Sequence, residues 1–239
     1  MMSQLSSPTP VASAFSPDPA PGFLPGPAGP PPAYAVLVPV KPPSFAKSRL
    51  ASLGDPARTS LVVAFAVDTI SAALETPGVN GVLAVTDDHL LAAGLGDVGA
   101  FVIPDAVTDD LNASLVQSAW EARRRWPGAG IAALCADLPA LRPADLACAL
   151  RTAAAGRMSF VADAAGTGTT TVLAPTAEQF APRFGPHSRK AHLDAGAFEI
   201  DPDDVPSLRR DVDTPEDLSA ALDLGVGSRT AVVAAGLRL

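Results

Sequence analysis

An uncharged apolar run at residues 131–136 ends in Asp137 and is followed two residues later by Pro139. A run of this length without charges is typical of a parallel strand that is covered on both faces. Pro139 has no N–H group to donate, so it ends the hydrogen-bond ladder, and a helix can then start with Pro143 in its first turn. Asp137 should therefore lie just beyond a central strand, at the edge where open α/β sheets bind ligands. The alternative is that Asp137 only closes a turn or caps the next helix.

Apolar runs of strand length alternate with helical patterns over the first 155 residues. Strands are predicted at 34–40, 81–86, 100–104, 131–136, 158–164, 169–174 and 208–212. Helices are predicted at 60–75, 111–126, 143–155, 191–196 and 215–224, with a short helix after Asp87 and Asp88. The alternation predicts a three-layer α/β domain with a mostly parallel sheet, and the adjacent later strands predict a small antiparallel insertion.

Residues 1–33 have the composition of a disordered tail. They hold ten of the 25 prolines, no Lys or Arg and no apolar block, which argues against a signal peptide. We expect one domain at residues 34–228 and a C-terminal tail at 229–239.

The net charge of −8 argues against a broad nucleic-acid surface, although a local basic pocket can still bind a small anion. Apolar runs look too short to cross a bilayer, so no membrane association is expected. Cys135 and Cys148 are interpreted as reduced thiols of a cytoplasmic protein. The three histidines do not have the spacing of a metal site.

Three groups of residues are candidates for one site. Lys41, Lys47 and Arg49 follow the first strand, where a positive loop suits a phosphate chain, although it could also be an ordinary solvated loop. The chain has neither the P-loop motif nor the G-x-G-x-x-G motif, which argues against a P-loop ATPase and a dinucleotide oxidoreductase.

The second group is Asp137 with Asp211 and Asp213. If the strands that precede them are neighbours, their carboxylates can share one Mg²⁺ ion, which prefers hard oxygen ligands.

The third group is the small-residue turn at 166–171 with Gly185 and Ser188, whose N–H groups and hydroxyls can hold a second phosphate or a carboxylate. The alternative for that turn is an ordinary hairpin.

Seven segments in a fixed order resemble the guanylyltransferases of deazaflavin coenzyme (F-420) biosynthesis. They are V-P-V-K at 38–41 with A-K-S-R-L-A at 46–51, Leu111-Asn112, A-D-L-P-A-L at 136–141, S-F-V-A-D at 159–163, G-T-G-T at 166–169, F-G-P-H-S at 184–188 and D-V-D-T-P-E-D-L at 211–218. The resemblance covers residues 34–228 and implies a Rossmann-like, GT-A-like nucleotidyltransferase fold.

The resemblance also implies GTP as donor and Mg²⁺ as cofactor. Its closest match is to the branch that uses phosphoenolpyruvate, which is the expected acceptor, with 2-phospho-L-lactate as the alternative. It carries over Asp137 and Asp211 as metal ligands, and Thr169, Gly185 and Ser188 as acceptor contacts. Lys41, Lys47, Arg49 and Asn112 are the expected nucleotide contacts, and Lys41, Asp137 and Asp211 the expected catalytic residues. The Thr-rich turn is one residue longer than the family pattern, so Thr170 is an alternative to Thr169. A deazaflavin transferase would use the product, and a homodimer is one alternative for the assembly.

Other functions remain as alternatives. A molybdenum-cofactor guanylyltransferase would have a glycine-rich loop after the first strand, but this chain has no glycine between Val36 and Leu53. A glycosyltransferase would have D-x-D after a central strand, where this chain has D-L-P. A non-catalytic nucleotide-binding module is the alternative from another class, and 3-phosphoglycerate is a third acceptor.

Overall fold

Strands and helices alternate from Tyr34 onward in the computed structural model, which describes residues 33–41, 48–107 and 110–237. The strands are β1 Tyr34–Pro39, β2 Val79–Val85, β3 Phe101–Ile103, β4 Gly130–Leu134, β5 Ser159–Ala162, β6 Thr169–Ala174 and β7 Phe198–Glu199. The helices are α1 Asp55–Leu74, α2 His89–Asp97, α3 Leu111–Arg125, α4 Pro143–Thr152, α5 Ser188–Asp194, α6 Pro215–Leu224 and α7 Ser228–Ala235. Residues 1–32, most of the predicted tail, lie outside the described residues.

The seven strands form one sheet in the order β3-β2-β1-β4-β6-β5-β7. Neighbours β3, β2, β1 and β4 are parallel, β6 is antiparallel to both β4 and β5, and β7 is parallel to β5. The sheet is therefore mostly parallel, as predicted, and the antiparallel element is a strand within it. The chain adds β2 and β3 on one side of β1 and β4 on the other, which creates a topological switch point between β1 and β4.

Two apolar clusters cover the two faces of this sheet. Val36 and Val38 of β1 belong to the cluster that includes α1 and α4, whereas Ala35 and Leu37 belong to the cluster that includes α3. Alternating residues of a strand point to opposite faces, so a run without charges is what a strand buried on both sides requires. The three-layer prediction is confirmed.

Helix α1 is long and apolar enough to cross a membrane, contrary to the expectation that every apolar run would be too short. In the fold, 61% of its apolar window is buried. Its buried residues pack into the sheet-covering cluster and into a third cluster with α6. Core packing therefore accounts for the apolar character of α1.

Helices α2 and α6 begin at the capping residues that the sequence predicted. Asp88 caps α2 by accepting hydrogen bonds from the N–H groups of Leu90 and Leu91. Thr214 caps α6 with Pro215 in the first turn, and Asp217 completes a capping box.

Residues 208–212 do not form the predicted strand. A 3-10 helix occupies Pro206–Arg209, and an extended segment follows it. The backbone of this region bonds to three separate places: the Leu208 carbonyl accepts from the Thr170 hydroxyl, the Arg209 carbonyl from Ala164 N–H, and Val212 N–H donates to the Asp137 carbonyl. Those partners lie on different segments, so no regular ladder can form.

Helix α7 lies where a C-terminal tail was predicted, so the boundary at residue 228 is too early. The buried carboxylate of Asp68, on α1, accepts hydrogen bonds from Arg229 N–H at 3.1 Å and Thr230 N–H at 2.7 Å. A carboxylate at the first turn of a helix satisfies amides that have no partner within the helix. A Cβ on Gly227 would lie 2.3 Å from Cγ of Asp68, so the approach requires glycine.

Candidate active site

A cavity of about 300 Å³ opens at the switch point, beyond the carboxyl ends of β1 and β4. Its lining residues are Pro39, Val40, Lys41, Val62, Phe65, Leu111, Cys135, Ala136, Asp137 and Asp213. Three of the sequence-predicted site residues, Lys41, Asp137 and Asp213, therefore share one cavity. We call it the switch-point cavity.

Thr69 of α1 fixes the loop that carries Asp137. The Thr69 hydroxyl donates to the Ala136 carbonyl at 3.3 Å and accepts from Leu138 N–H at 3.1 Å. Thr69 is fully buried and bonds on both sides of Asp137. The backbone at Asp137 is therefore tied to the core helix as well as to β4.

The segment with Asp211 and Asp213 lies against the Asp137 loop. Val212 N–H donates to the Asp137 carbonyl at 3.1 Å, so the two predicted groups of carboxylates are neighbours even though the second does not follow a strand. Asp213 lines the cavity, whereas Asp211 is not among the lining residues. Gly227 N–H, just before α7, donates to the Pro139 carbonyl at 2.8 Å and fixes the far end of the same loop.

Two residues of the basic group, Lys41 and Arg49, lie within the described part of the chain. Lys41 is exposed and lines the cavity, and Arg49 is exposed at the start of the 3-10 helix Ser48–Leu53. Leu50 anchors that helix in the apolar cluster with Leu61. Lys47 lies outside the described residues.

The oxygen ligands at the switch-point cavity fit a hard divalent cation. Asp137 and Asp213 line the same space, and Mg²⁺ is commonly held by one or two carboxylates with substrate phosphates completing its shell. Among residues 33–41, 48–107 and 110–237, no group of three His, Cys, Asp or Glu side chains forms a fuller metal site. A cation here would therefore depend on the substrate for several ligands.

Asn112, in the first turn of α3, holds the loop at residues 183–188, which we call the Gly185 loop. Its Nδ2 donates to the Phe184 carbonyl at 2.9 Å, and its Oδ1 accepts from Phe184 N–H at 2.8 Å. The adjacent Leu111 lines the switch-point cavity. The Gly185 loop is thus anchored one residue away from the cavity wall.

Thr169 and Thr170 also adjoin the cavity, through Cys135. The N–H group of Cys135 donates to the Thr170 carbonyl at 2.8 Å, and its Sγ donates to the Thr169 carbonyl at 3.7 Å. Because β6 is antiparallel to β4, its first residue lies at the edge where β4 ends. The cavity and the start of β6 therefore form one continuous region.

The family model described as "Guanylyl transferase CofC like" matches residues 34–232 of the chain. The chain belongs to this family. The match confirms the resemblance drawn from the seven sequence segments and makes the protein a nucleotidyltransferase.

Curated relatives of this CofC-like guanylyl transferase are similar over most of its length. A protein of Thermomonospora curvata is 50% identical over 202 residues, covering 84% of this chain and 89% of the relative. A protein of Streptomyces scabiei is 49% identical over 209 residues, covering 85% and 97%. Both relatives are named phosphoenolpyruvate guanylyltransferase.

Solved structures support the fold of the CofC-like guanylyl transferase. A Desulfovibrio desulfuricans protein assigned to the nucleotide-diphospho-sugar transferases has a TM-score of 0.64 at 15% identity, covering 85% of this chain and 94% of that one. A nucleotidyl transferase of Methanothermobacter thermautotroptrophicus has a TM-score of 0.54 at 18% identity, covering 81% and 97%. The predicted nucleotidyltransferase fold is confirmed.

The Thr-rich segment of this CofC-like protein forms a bulge in β6. Ala162 pairs with Thr169 and Val161 pairs with Thr171, so Thr170 is the extra residue. Bulges redirect side chains at the edges of sheets. The Thr170 hydroxyl bonds to the Leu208 carbonyl, whereas the Thr169 hydroxyl lies 3.1 Å from Nδ1 of His192.

The turn at residues 166–171 already binds an internal carboxylate. The Oδ atoms of Asp163 accept from Thr167 N–H at 2.9 Å and from Gly168 N–H at 2.8 Å. A Cβ on Gly168 would lie 2.4 Å from Oδ2 of Asp163, so the glycine permits this close approach. In this structure the N–H groups of Thr167 and Gly168 are therefore engaged by Asp163.

Ser188 is the first residue of α5 rather than its cap, which corrects the sequence assignment. The capping position is His187, whose φ of 57° is left-handed, and Ser188 N–H bonds to the Gly185 carbonyl at 3.2 Å. Gly185 has a φ of 136°, a conformation that favours glycine. Ser188 is buried, so this end of the Gly185 loop is held tightly.

His192 of α5 is a fully buried imidazole between the Gly185 loop and β6. Its Nε2 accepts from Arg183 N–H at 3.0 Å, and its ring stacks on Phe160 with centroids 5.3 Å apart. Burial, together with the positive charge of Arg183, lowers the pKa of His192 to about 4, although a hydrogen bond to the Ser188 backbone opposes the shift. The imidazole is therefore neutral near pH 7.

Sequence reasoning missed three residues that organise this site: Thr69, Asp163 and His192. Thr69 has a detectable signal, since it is a polar residue between Val67 and Ile70 on the apolar face of a helix. His192 has none, because its partners lie elsewhere in the chain. Asp163 lies four and five residues before the N–H groups that it binds, but spacing alone does not show that the turn folds back onto it.

Proposed function

We propose that this CofC-like protein transfers GMP from GTP to phosphoenolpyruvate, with release of pyrophosphate, in coenzyme F-420 biosynthesis. The acceptor follows the names of relatives that are about half identical over nearly their whole length. The observation that supports the chemistry most is the grouping of Lys41, Asp137 and Asp213 around one cavity at the switch point.

In the proposed reaction, a phosphate oxygen of phosphoenolpyruvate attacks the α-phosphorus of GTP. The bond from the α-phosphorus to the bridging oxygen of the β-phosphate breaks, and pyrophosphate leaves with the electron pair. The product is enolpyruvoyl-diphospho-guanosine. Transfers of this kind depend on positioning and charge neutralisation more than on covalent help from the protein.

Lys41 would offset the negative charge that develops on the leaving pyrophosphate, and Lys47 and Arg49 would hold the outer phosphates of GTP. Asp137 with Asp213 or Asp211 would hold Mg²⁺. When bound, Mg²⁺ neutralises phosphate charge and orients the reacting oxygens. The cavity lining favours Asp213 as the partner of Asp137.

The acceptor is proposed to bind beside the cavity, at Thr169, Gly185 and Ser188. Thr169 is favoured over Thr170, because the Thr170 hydroxyl is already bonded to the Leu208 carbonyl. Asn112 was expected to contact the nucleotide. Since both polar atoms of its side chain bond to Phe184, we assign it to holding the Gly185 loop instead.

The remaining proposals concern the setting of the reaction. We place the protein in the cytoplasm, where GTP and phosphoenolpyruvate are available, and propose that a transferase acting on the deazaflavin consumes the product. A homodimer remains a proposal that sedimentation measurements can test.

The test is an assay of pyrophosphate release by the purified full chain with GTP and Mg²⁺. We expect kcat/KM for phosphoenolpyruvate to exceed that for 2-phospho-L-lactate and 3-phosphoglycerate by at least about tenfold, and mass spectrometry to detect the guanosine diphosphate ester. A pocket that reads shape alone separates such acceptors by only ~1–3 kcal/mol, so a comparison of rates is needed.

Each other outcome of this assay has a distinct meaning. A tenfold preference for 2-phospho-L-lactate would overturn the acceptor while leaving guanylyl transfer intact. GTP binding in calorimetry without turnover of any acceptor would instead support a non-catalytic nucleotide-binding module.

A further inference from the structure

We propose that His192 is the positioning residue of the acceptor site, holding the Thr169 hydroxyl as a hydrogen-bond donor toward the acceptor and fixing the Gly185 loop beside it. This inference rests on the proposed function, because it assigns the acceptor to the region of Thr169 and the Gly185 loop.

His192 connects the separate segments that border the acceptor region. It contacts Thr169 at the start of β6 through Nδ1, and it contacts Arg183 at the start of the Gly185 loop through Nε2. Phe184, next in the loop, packs against the imidazole edge to face with centroids 6.0 Å apart. The imidazole therefore sets the distance between β6 and the loop.

The hydrogen bonds determine which nitrogen carries the proton. Nε2 lies 3.0 Å from the Arg183 nitrogen and accepts its N–H, so Nε2 has no proton of its own. A neutral imidazole has one N–H group, which must then be on Nδ1.

This tautomer determines the direction of the Thr169 hydroxyl. Because Nδ1 carries a proton, it cannot accept one, and Thr169 Oγ1 at 3.1 Å must be the acceptor of this bond. The hydroxyl proton of Thr169 then points away from the imidazole. A hydroxyl fixed in this direction can donate to a carboxylate or phosphate oxygen of the acceptor without the cost of reorienting first.

The surroundings of the His192 ring keep the imidazole neutral and fix its orientation. His192 has no exposed surface, its ring stacks on Phe160, and the positive charge of Arg183 opposes protonation of the ring. A second proton on Nε2 would face the N–H group of Arg183. The same tautomer therefore persists across the pH range of an ordinary assay.

The first experiment is long-range ¹H–¹⁵N NMR of the histidine rings in the full chain between pH 5.5 and 8. We expect His192 to remain neutral with Nδ1 protonated throughout. A His192 ring that is charged in this range, or protonated on Nε2 alone, overturns the inference. This readout does not require enzymatic activity.

The second experiment compares His192→Phe, His192→Asn and His192→Gln, with His89→Gln as the exposed control. Phe keeps ring packing and loses both hydrogen bonds. Asn keeps an N–H group near the position of Nδ1, and Gln keeps an oxygen near the position of Nε2. We expect His192→Phe to raise KM for phosphoenolpyruvate at least about tenfold with KM for GTP changed less than about twofold, and the other two to fall between it and wild type.

A double-mutant cycle separates positioning from general support of the fold. If His192 acts through Thr169, the rise in acceptor KM caused by His192→Phe plus Thr169→Val should be well below the product of the two single effects. Independent effects that multiply, or an unchanged acceptor KM in a His192→Phe variant with a wild-type melting transition, overturn the inference. A wild-type protein without guanylyl transfer would refute the proposed function instead, and the NMR result would still decide the tautomer.

Discussion

The switch-point cavity and the Gly185 loop are adjacent, but they are held in place by different means. Asp137 directly follows a central strand, and backbone bonds from Val212 and Gly227 fix its loop. The Gly185 loop is held by side chains from elsewhere in the chain, chiefly Asn112 and His192. The Asp137 loop is therefore held mainly by backbone groups, supplemented by the Thr69 hydroxyl, whereas the Gly185 loop depends mainly on side chains. We expect the two regions to control different kinetic constants.

The largest effect is expected from Asp137→Asn. Loss of a charge that holds a metal should lower kcat by at least ~100-fold, since such a contact contributes several kcal/mol to the transition state. The melting temperature should change little, because the two side chains have the same shape. Steady-state kinetics at saturating GTP and Mg²⁺ measure this effect.

The matched control is Asp97→Asn, at the exposed end of α2. It removes the same charge far from the switch-point cavity and should leave kcat within twofold of wild type. Near wild-type turnover of the Asp137 variant would remove this carboxylate from the mechanism.

A smaller effect of another kind is expected from Asn112→Ala. The change removes both hydrogen bonds to Phe184, and we expect KM for phosphoenolpyruvate to rise roughly tenfold, which corresponds to about 1.4 kcal/mol. Gln117→Ala, on the exposed face of the same helix, is the control. If KM for GTP rises instead, Asn112 contacts the nucleotide and the contrast between the two regions is wrong.

The smallest kinetic effect is expected from Thr69→Val. Valine fills the same volume but leaves Leu138 N–H and the Ala136 carbonyl without their bond to Thr69. We expect kcat to fall about threefold to tenfold with both KM values nearly unchanged, and the unfolding free energy to fall by about 1–3 kcal/mol.

Thr69→Ser is the matched variant, since it retains the hydroxyl. It should recover most of the lost turnover. A Thr69→Val protein with a higher KM for phosphoenolpyruvate would show that the cavity loop and the Gly185 loop move together, which breaks the comparison.

The same contrast explains which features the sequence could predict. The strand before Asp137 is a continuous uncharged run, and the position of Lys41 after β1 follows from a local pattern in the same way. Their meeting at one edge follows from parallel pairing. The family segments add Asp213 and Gly185 without saying how they are held.

The features that could not be predicted depend on which groups pair with each other when the chain folds. From the sequence, the turn after Asp163 resembles an open anion site. In the fold, the N–H groups of Thr167 and Gly168 in that turn donate to the Asp163 carboxylate. Leu208 and Val212 have strand-like composition, yet their backbone groups bond to unrelated segments. Neither composition nor periodicity contains that information, because it arises only when the chain is folded.

The bond between Asp68 and α7 has a consequence for the order in which the chain is made. Translation produces Asp68 in α1 about 160 residues before Arg229 and Thr230. The Asp68 carboxylate accepts hydrogen bonds from the N–H groups of those two residues. Until those residues emerge, a nascent chain has neither this cap nor the Gly227 bond to the Pro139 carbonyl. A ribosome that stalls before residue 227, or a protease that removes the chain from that point, would therefore leave the Asp137 loop without the hydrogen bond from Gly227 N–H. Chain completion and catalytic geometry are coupled through a helix that contributes no side chain to the switch-point cavity.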